Sequence, residues 1–373
     1  MIRGHGGNID EAARIAGCRP ADIVDMSSNV NPLGPPPGLL QHLRDRLQAL
    51  QALPEADAAG CCRAFARRHR FDADAVAAAN GTTRFIHDLP RALGARRALI
   101  LAPSYADYAD ACAAAGVEVE ALPLSAGEGF VPDPEEMDRR LCRVDMAFIC
   151  NPNNPTGVRL PQQTLAEICR AHPKVRFVID ESYLPFCRDA AQGMAGRALP
   201  NVLVLNSLSK VFRIPGLRIG FLIGPPGLLA PVRRYALPWS VNSLAQVAVE
   251  FLMRPSADLD AFVEETRRWV SAERVRIGTR LAASRPLQVF PSSTVFSLIR
   301  LPKTATAVDV ARQLLESRIL IRNCGNFAGL SERYIRISLK QAEENNRLVD
   351  RLLAAVGTEA PTGAFGQNGD DPT

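Results

Sequence analysis

The chain has 373 residues, 47% of them hydrophobic, with 44 basic and 39 acidic side chains and a net charge of +5. That length and apolar content suffice for a large core and for one large and one smaller domain. The charge is dispersed, with no basic block, and no apolar run approaches a membrane span, which argues against nucleic-acid and membrane partners. Nine cysteines form no Cys-x-x-Cys pair, so neither a disulfide framework nor a metal site is indicated. The opening Met1–His5 lacks the apolar core of an export signal, and a cytoplasmic protein is expected.

The chain begins Gly4-His5-Gly6-Gly7-Asn8, followed by a short helix from Ile9 to Ala16 that Gly17 ends, and then a loop, Ser27-Ser28-Asn29-Val30-Asn31-Pro32-Leu33-Gly34. Asn80-Gly81-Thr82-Thr83 precedes an amphipathic segment, Phe85 to Leu89 with Leu93. A glycine and hydroxyl residues at a helix start offer free N–H groups and the positive dipole end to an anion. The strand Ala98–Leu101 leads to Pro103-Ser104-Tyr105. The strand Met146–Cys150 leads to Asn151-Pro152-Asn153-Asn154-Pro155-Thr156-Gly157. Helical text around Gln163–Cys169 follows, then the strand Val175–Ile179 with Asp180-Glu181-Ser182-Tyr183 at its end. The strand Val202–Leu205 runs into Asn206-Ser207-Leu208-Ser209-Lys210, with Arg218 just beyond. Later come a long helix from Leu259 to Leu281, a strand at Val295–Ile299, the stretch Ile321–Leu330, an alternating Tyr334-Ile335-Arg336-Ile337-Ser338, and a helix from Glu343 to Val356.

Strands alternating with helices predict a largely parallel sheet covered by helices. Ligands bind such sheets beyond the carboxyl ends of the strands. Asn154, Asp180 and Lys210 therefore project toward one rim. Only four lysines occur and the other forty basic residues are arginine, so a lysine at that rim is selected for its amine. A primary amine condenses with an aldehyde; a guanidinium, which keeps its proton, does not. Asp180, a carboxylate ending an apolar strand, needs a cation, which a protonated pyridine nitrogen supplies. Asn154 and Tyr183 can hydrogen-bond a ring oxygen. Ser207, Ser209 and Arg218 suit a phosphate. Taken singly, each has an ordinary use as cap, turn or solvated charge; their order and spacing set them apart.

That combination resembles the fold-type-I enzymes that use pyridoxal 5′-phosphate, in the class I/II aminotransferase branch that includes histidinol-phosphate aminotransferases. The resemblance implies an α/β fold with a mostly parallel sheet sandwiched by helices in a large domain, plus a smaller α+β domain. It implies Lys210 at the cofactor aldehyde, Asp180 at the ring nitrogen, Asn154 and Tyr183 at the ring oxygen, and Tyr105 stacked on the ring. Thr82, Thr83, Ser207, Ser209 and Arg218 then surround the phosphate. A homodimer is implied as well, although Leu53 stands where the family has a tyrosine that crosses to the neighbouring subunit. The expected division is an N-terminal arm at 1–45 that forms part of the small domain, a cofactor-binding domain at 46–250, the rest of the small domain at 251–356 and a disordered tail at 357–373.

The His-Gly-Gly-Asn opening and the Arg-x-Cys-x-Asn-Phe-x-Gly-Leu stretch at 322–330 resemble the threonine-phosphate decarboxylases of cobalamin biosynthesis. A small phosphorylated amino-acid substrate is thereby implied. Its carboxylate is expected at Arg336, and its phosphate at Arg322 and His5 with Asn31 nearby. Histidinol-phosphate-type transamination and decarboxylation of O-phospho-L-serine stay open as alternatives. A non-catalytic cofactor-binding module of a regulator ranks behind them.

Overall fold

The computed structural model of the chain describes residues 6–188, 193–283 and 287–357. Its centre is a seven-stranded sheet of β1 (Val76–Ala79), β2 (Arg97–Ala102), β3 (Glu118–Pro123), β4 (Met146–Cys150), β5 (Arg176–Asp180), β6 (Val202–Ser207) and β7 (Gly220–Ile223). The strand order is β1-β7-β6-β5-β4-β2-β3. All neighbours are parallel except β7, which runs antiparallel to both β1 and β6. Six strands consequently end at one rim, and β7 begins there. Every residue of β4 is buried, and so is β5 after Arg176. This is why they read as unbroken apolar runs rather than as alternation.

A second, antiparallel sheet comprises β8 (Gln288–Val289), β9 (Phe296–Arg300), β10 (Arg322–Asn323) and β11 (Tyr334–Ser338), in the order β10-β11-β9-β8. The α/β class with a smaller antiparallel unit is the architecture expected from the sequence. The long helix extends from Ala257 to Ala282, with the Ser256 hydroxyl accepting from the Leu259 N–H at its start. Trp269 packs against the core.

The N-terminal segment is tied to both sheets. Val24–Asp25 pairs in parallel with Ile319–Leu320. Ser338 N donates to Met26 O at 2.8 Å, and Asn31 N donates to Lys210 O at 2.9 Å. The loop after residue 26 is thus clamped between the end of β11 and the lysine segment. Among the described residues, no helix is long and apolar enough to cross a membrane.

Candidate active site

The rim gathers its residues around Gly220. Gly220 is paired with Ala79 on one side and Ser207 on the other, so the ends of β1 and β6 meet there. A Cβ on Gly220 would stand 2.4 Å from the Thr82 amide nitrogen, and one on Gly81 would stand 2.5 Å from Arg218 Nη2. Gly81 also has φ +76°, a conformation that glycine adopts at little cost. Two glycines therefore let the N-terminus of the Thr82–Ala92 helix, the Arg218 guanidinium and the Ser207–Ser209 turn close around one small space. Thr82, Thr83, Ser207, Ser209, Lys210 and Arg218 all line it, a cavity of about 140 Å³.

Tyr105, Asn154, Asp180 and Tyr183 complete the same wall. Asp180 is 6% exposed. Its Oδ2 accepts from Tyr108 Oη at 2.8 Å and its Oδ1 from the Ser182 N–H at 2.9 Å. Among the described residues no cation pairs with it. Tyr108 is fully buried, its ring parallel to Phe148 at 5.0 Å and edge-on to Tyr105 at 5.6 Å. Burial first, and then the charge of Asp180, push its phenol pKa well up, so it stays protonated and donates. Lys210 sits in a one-turn helix, Leu208–Val211, directly after β6. Its Nζ has no hydrogen-bond partner among the described residues.

Tyr108, Cys150, Ser182 and both glycines also line or shape this cavity; of these, the sequence pattern gave a site role only to Gly81, in the anion site before the Thr82 helix. Tyr108 lies three residues after Tyr105, one helical turn on, so that spacing could have flagged it. Within 151–157 the asparagines divide their work. Asn151 bonds Leu160 through both ends of its amide, and Asn153 binds Pro103 O, Thr156 Oγ1 and Ser104 Oγ. Only Asn154 faces the cavity.

A larger cavity of about 770 Å³ opens from the first and shares Tyr105, Asn154, Tyr183 and Lys210 with it. Arg336 is 5% exposed; it donates to Asn154 Oδ1 and, at 2.6 Å, to Ser27 O. With its oxygen taken, Asn154 presents its amide nitrogen to the cavity. Arg336 Nε is buried without a partner among the described residues. Arg322 lies directly across the strand pair from Arg336, a like-charge juxtaposition that destabilises a sheet. Burial first, and Arg336 as well, hold the Arg322 guanidinium down at about 10.

The glycine-rich opening has a steric reason. A Cβ on Gly6 would lie 2.6 Å from Ser27 O, and Gly7 (φ +84°) donates to Ser27 Oγ at 2.7 Å. The arm thus lies flat on the 27–28 loop at the cavity mouth. His5 lies outside the described residues. Asn31 does not line the cavity: fully buried, it donates to Val211 O and Thr266 Oγ1 and accepts from Leu33 N. Asn29 lines it instead, donating to Tyr183 Oη at 3.1 Å. The loop backbone turns Asn31 inward and Asn29 outward.

The sequence pattern of the class I and II aminotransferases matches residues 21–352. The chain belongs to that family. It is 35% identical over 363 residues to the threonine-phosphate decarboxylase of Salmonella typhimurium, covering 96% of this chain and 98% of the relative. The L-threonine-O-3-phosphate decarboxylase structure from Porphyromonas gingivalis is 30% identical with a TM-score of 0.79, over 88% of this chain and 98% of that one. The histidinol-phosphate aminotransferase structure from Clostridium acetobutylicum gives 26% and 0.81 over the same shares. The backbone alone does not separate the two activities.

Proposed function

We propose that the chain is a pyridoxal 5′-phosphate enzyme that decarboxylates O-phospho-L-threonine to (R)-1-amino-2-propanol O-2-phosphate, a step of cobalamin biosynthesis. The observation that carries this reading is a cavity in which a lysine amine and a buried carboxylate, neither with an ion-pair partner among the described residues, and an anion cradle open onto a second space lined by Arg322 and Arg336. The residues fit the cofactor. Asp180 lacks a cation that a pyridinium nitrogen supplies, and the cradle around Gly81 and Gly220 is just as a phosphate requires: backbone N–H groups, hydroxyls and one guanidinium. Asn154 and Tyr183 are assigned to the ring oxygen and Tyr105 to the ring face. Bound there, the cofactor supplies an electron sink for the bond broken at the substrate's α-carbon.

The protein's own part is orientation. Arg336 holds the α-carboxylate and Arg322 the phosphate, which together fix which bond at the α-carbon faces the cofactor ring. Such positioning controls large rate factors. The carboxylate leaves as CO₂, and a proton from Lys210 Nζ takes its place on the carbon. The identity to decarboxylases favours this outcome over transamination. The 46–250 segment is taken as the cofactor-binding domain, and 1–45 with 251–356 as the small one. Support for a homodimer comes from the exposed Leu50, Leu53, Leu237 and Trp239. They lie on two segments joined by the Trp239 N–H to Ala56 O bond of 2.8 Å.

The purified protein, incubated with O-phospho-L-threonine, is expected to release CO₂ without forming a 2-oxo acid. Oxo-acid formation without CO₂ refutes decarboxylation in favour of transamination. Lys210→Ala is expected to lose the visible absorption of the protein-bound aldehyde. A persisting band after removal of free cofactor refutes the Lys210 assignment.

A further inference from the structure

Two of the four lysines face the larger cavity: Lys210, and Lys340 just beyond β11. Lys340 is only 5% exposed. Arg213 faces the same space from a left-handed turn (φ 47°) three residues after Lys210. One short loop carries both cations. Lys340 Nζ is 3.4 Å from Ser28 O, and Arg213 Nη1 is 3.4 Å from the carbonyls of Asn31 and Pro32. Pro32 O also accepts from Gln341 Nε2 at 2.7 Å, which draws the Lys340 segment against the loop that holds Arg213.

These contacts are long, and among the described residues neither cation has an ion pair. The acids nearest them are engaged elsewhere. Asp25 Oδ1 accepts from the Ser27 and Ser28 N–H groups and from Ser27 Oγ, and Glu344 Oε2 accepts from Gln341 N. Around the cavity five basic side chains (Lys210, Arg213, Arg322, Arg336, Lys340) thus stand against two acidic ones. Burial lowers the Lys340 pKa, with Arg213 adding to that effect and Asp25 and Glu344 opposing it. A buried cation without an ion-pair partner, as Lys340 is among the described residues, is costly to a fold, and an anion bound between it and the exposed Arg213 compensates it.

A phosphate monoester carries about two charges and three strong acceptor oxygens, more than Arg322 alone satisfies. We propose that Arg213 and Lys340 form a cationic pair, held by the 28–32 loop, that grips the substrate's phosphoryl group together with Arg322 and selects phosphorylated amino acids. This deepens the phosphoamino-acid reading and rests on it for the identity of the ligand. The pair is separate from the cradle of Thr82, Ser207 and Arg218.

The test uses the cofactor-loaded enzyme and inorganic phosphate as the probe. Arg213→Gln with Lys340→Gln is expected to weaken phosphate binding and raise KM for O-phospho-L-threonine by about tenfold to a hundredfold, the range for lost hydrogen bonds to a charged group. The visible cofactor band and the unfolding temperature are expected to persist, and Lys340→Arg to restore most of the lost phosphate affinity. If the double variant does not fold, either single substitution is read the same way. Unchanged phosphate affinity in a variant that keeps its cofactor band overturns the proposal. If the wild-type enzyme turns over no phosphoamino acid, the substrate reading fails separately, and the phosphate titration still decides for or against the subsite.

Discussion

Asp180→Asn separates a carboxylate kept for a bound cation from one kept for the fold. Asp180 accepts two hydrogen bonds, from Tyr108 Oη at 2.8 Å and from Ser182 N at 2.9 Å, and has no cation within ion-pair reach among the described residues. An asparagine keeps Oδ1 for the Ser182 N–H, and its amide nitrogen can donate to the Tyr108 oxygen once that hydroxyl rotates. The variant also removes an unpaired buried charge. Cofactor-free Asp180→Asn is therefore expected to be as stable as the wild type, or more so. With cofactor bound the balance reverses, since breaking a buried ion pair costs about 3–5 kcal/mol. At about 1.4 kcal/mol per decade this weakens cofactor affinity roughly a hundredfold to several thousandfold. Absorbance titration of the cofactor-free protein with pyridoxal 5′-phosphate, and unfolding with and without it, measure both arms. Affinity within threefold of the wild type refutes the assignment. A cofactor-free variant that loses more than about 2 kcal/mol makes Asp180 a structural hydrogen-bond acceptor instead.

Three further outcomes follow from the same geometry. Gly220→Ala forces a Cβ toward the backbone of Gly81 and Thr82; a stability loss of about 1–3 kcal/mol and weaker cofactor binding are expected, and normal binding refutes the cradle. Burial raises the Glu181 carboxyl to about 7, against an ordinary 4.5, so the folded state holds that proton more tightly. Its contribution is fully present below about pH 4.5 and lost as pH rises through about 7, roughly 3 kcal/mol in all. Glu181→Gln, which keeps an acceptor for the Met194 N–H, is expected to gain unfolding temperature over the wild type at pH 8 and not at pH 4; parallel pH profiles contradict this. Trp239→Asp places a charge on a half-exposed apolar patch and is expected to shift the protein toward monomer in light scattering, whereas an unchanged mass removes that patch from the interface.

Much of the site was legible because it sits where strands end. A buried parallel strand is a run of apolar residues, so the polar stretch that follows it marks the rim; Asp180 directly follows such a run, and Asn154 and Lys210 lie within five residues of one. Loops carry no such period. Asn29 and Asn31 are two residues apart in one loop with the same side chain, yet Asn29 reaches the Tyr183 phenol and Asn31 is locked under Val211 and Thr266. Nothing local distinguishes them.

The chain by itself determined the alternation of strand and helix, the rim, the scarce lysine and the Gly-Thr-Thr helix start, because these are patterns of neighbouring residues; the need for glycine at 81 and 220 arises from Arg218 and Thr82, far away in the chain. Only the tertiary structure set Tyr108 beneath Asp180, turned the Asn154 amide with Arg336, and brought Arg213 and Lys340 to one loop. Those contacts join residues separated by 72 to 312 positions, and their distances depend on how the N-terminal loop is clamped between the two sheets.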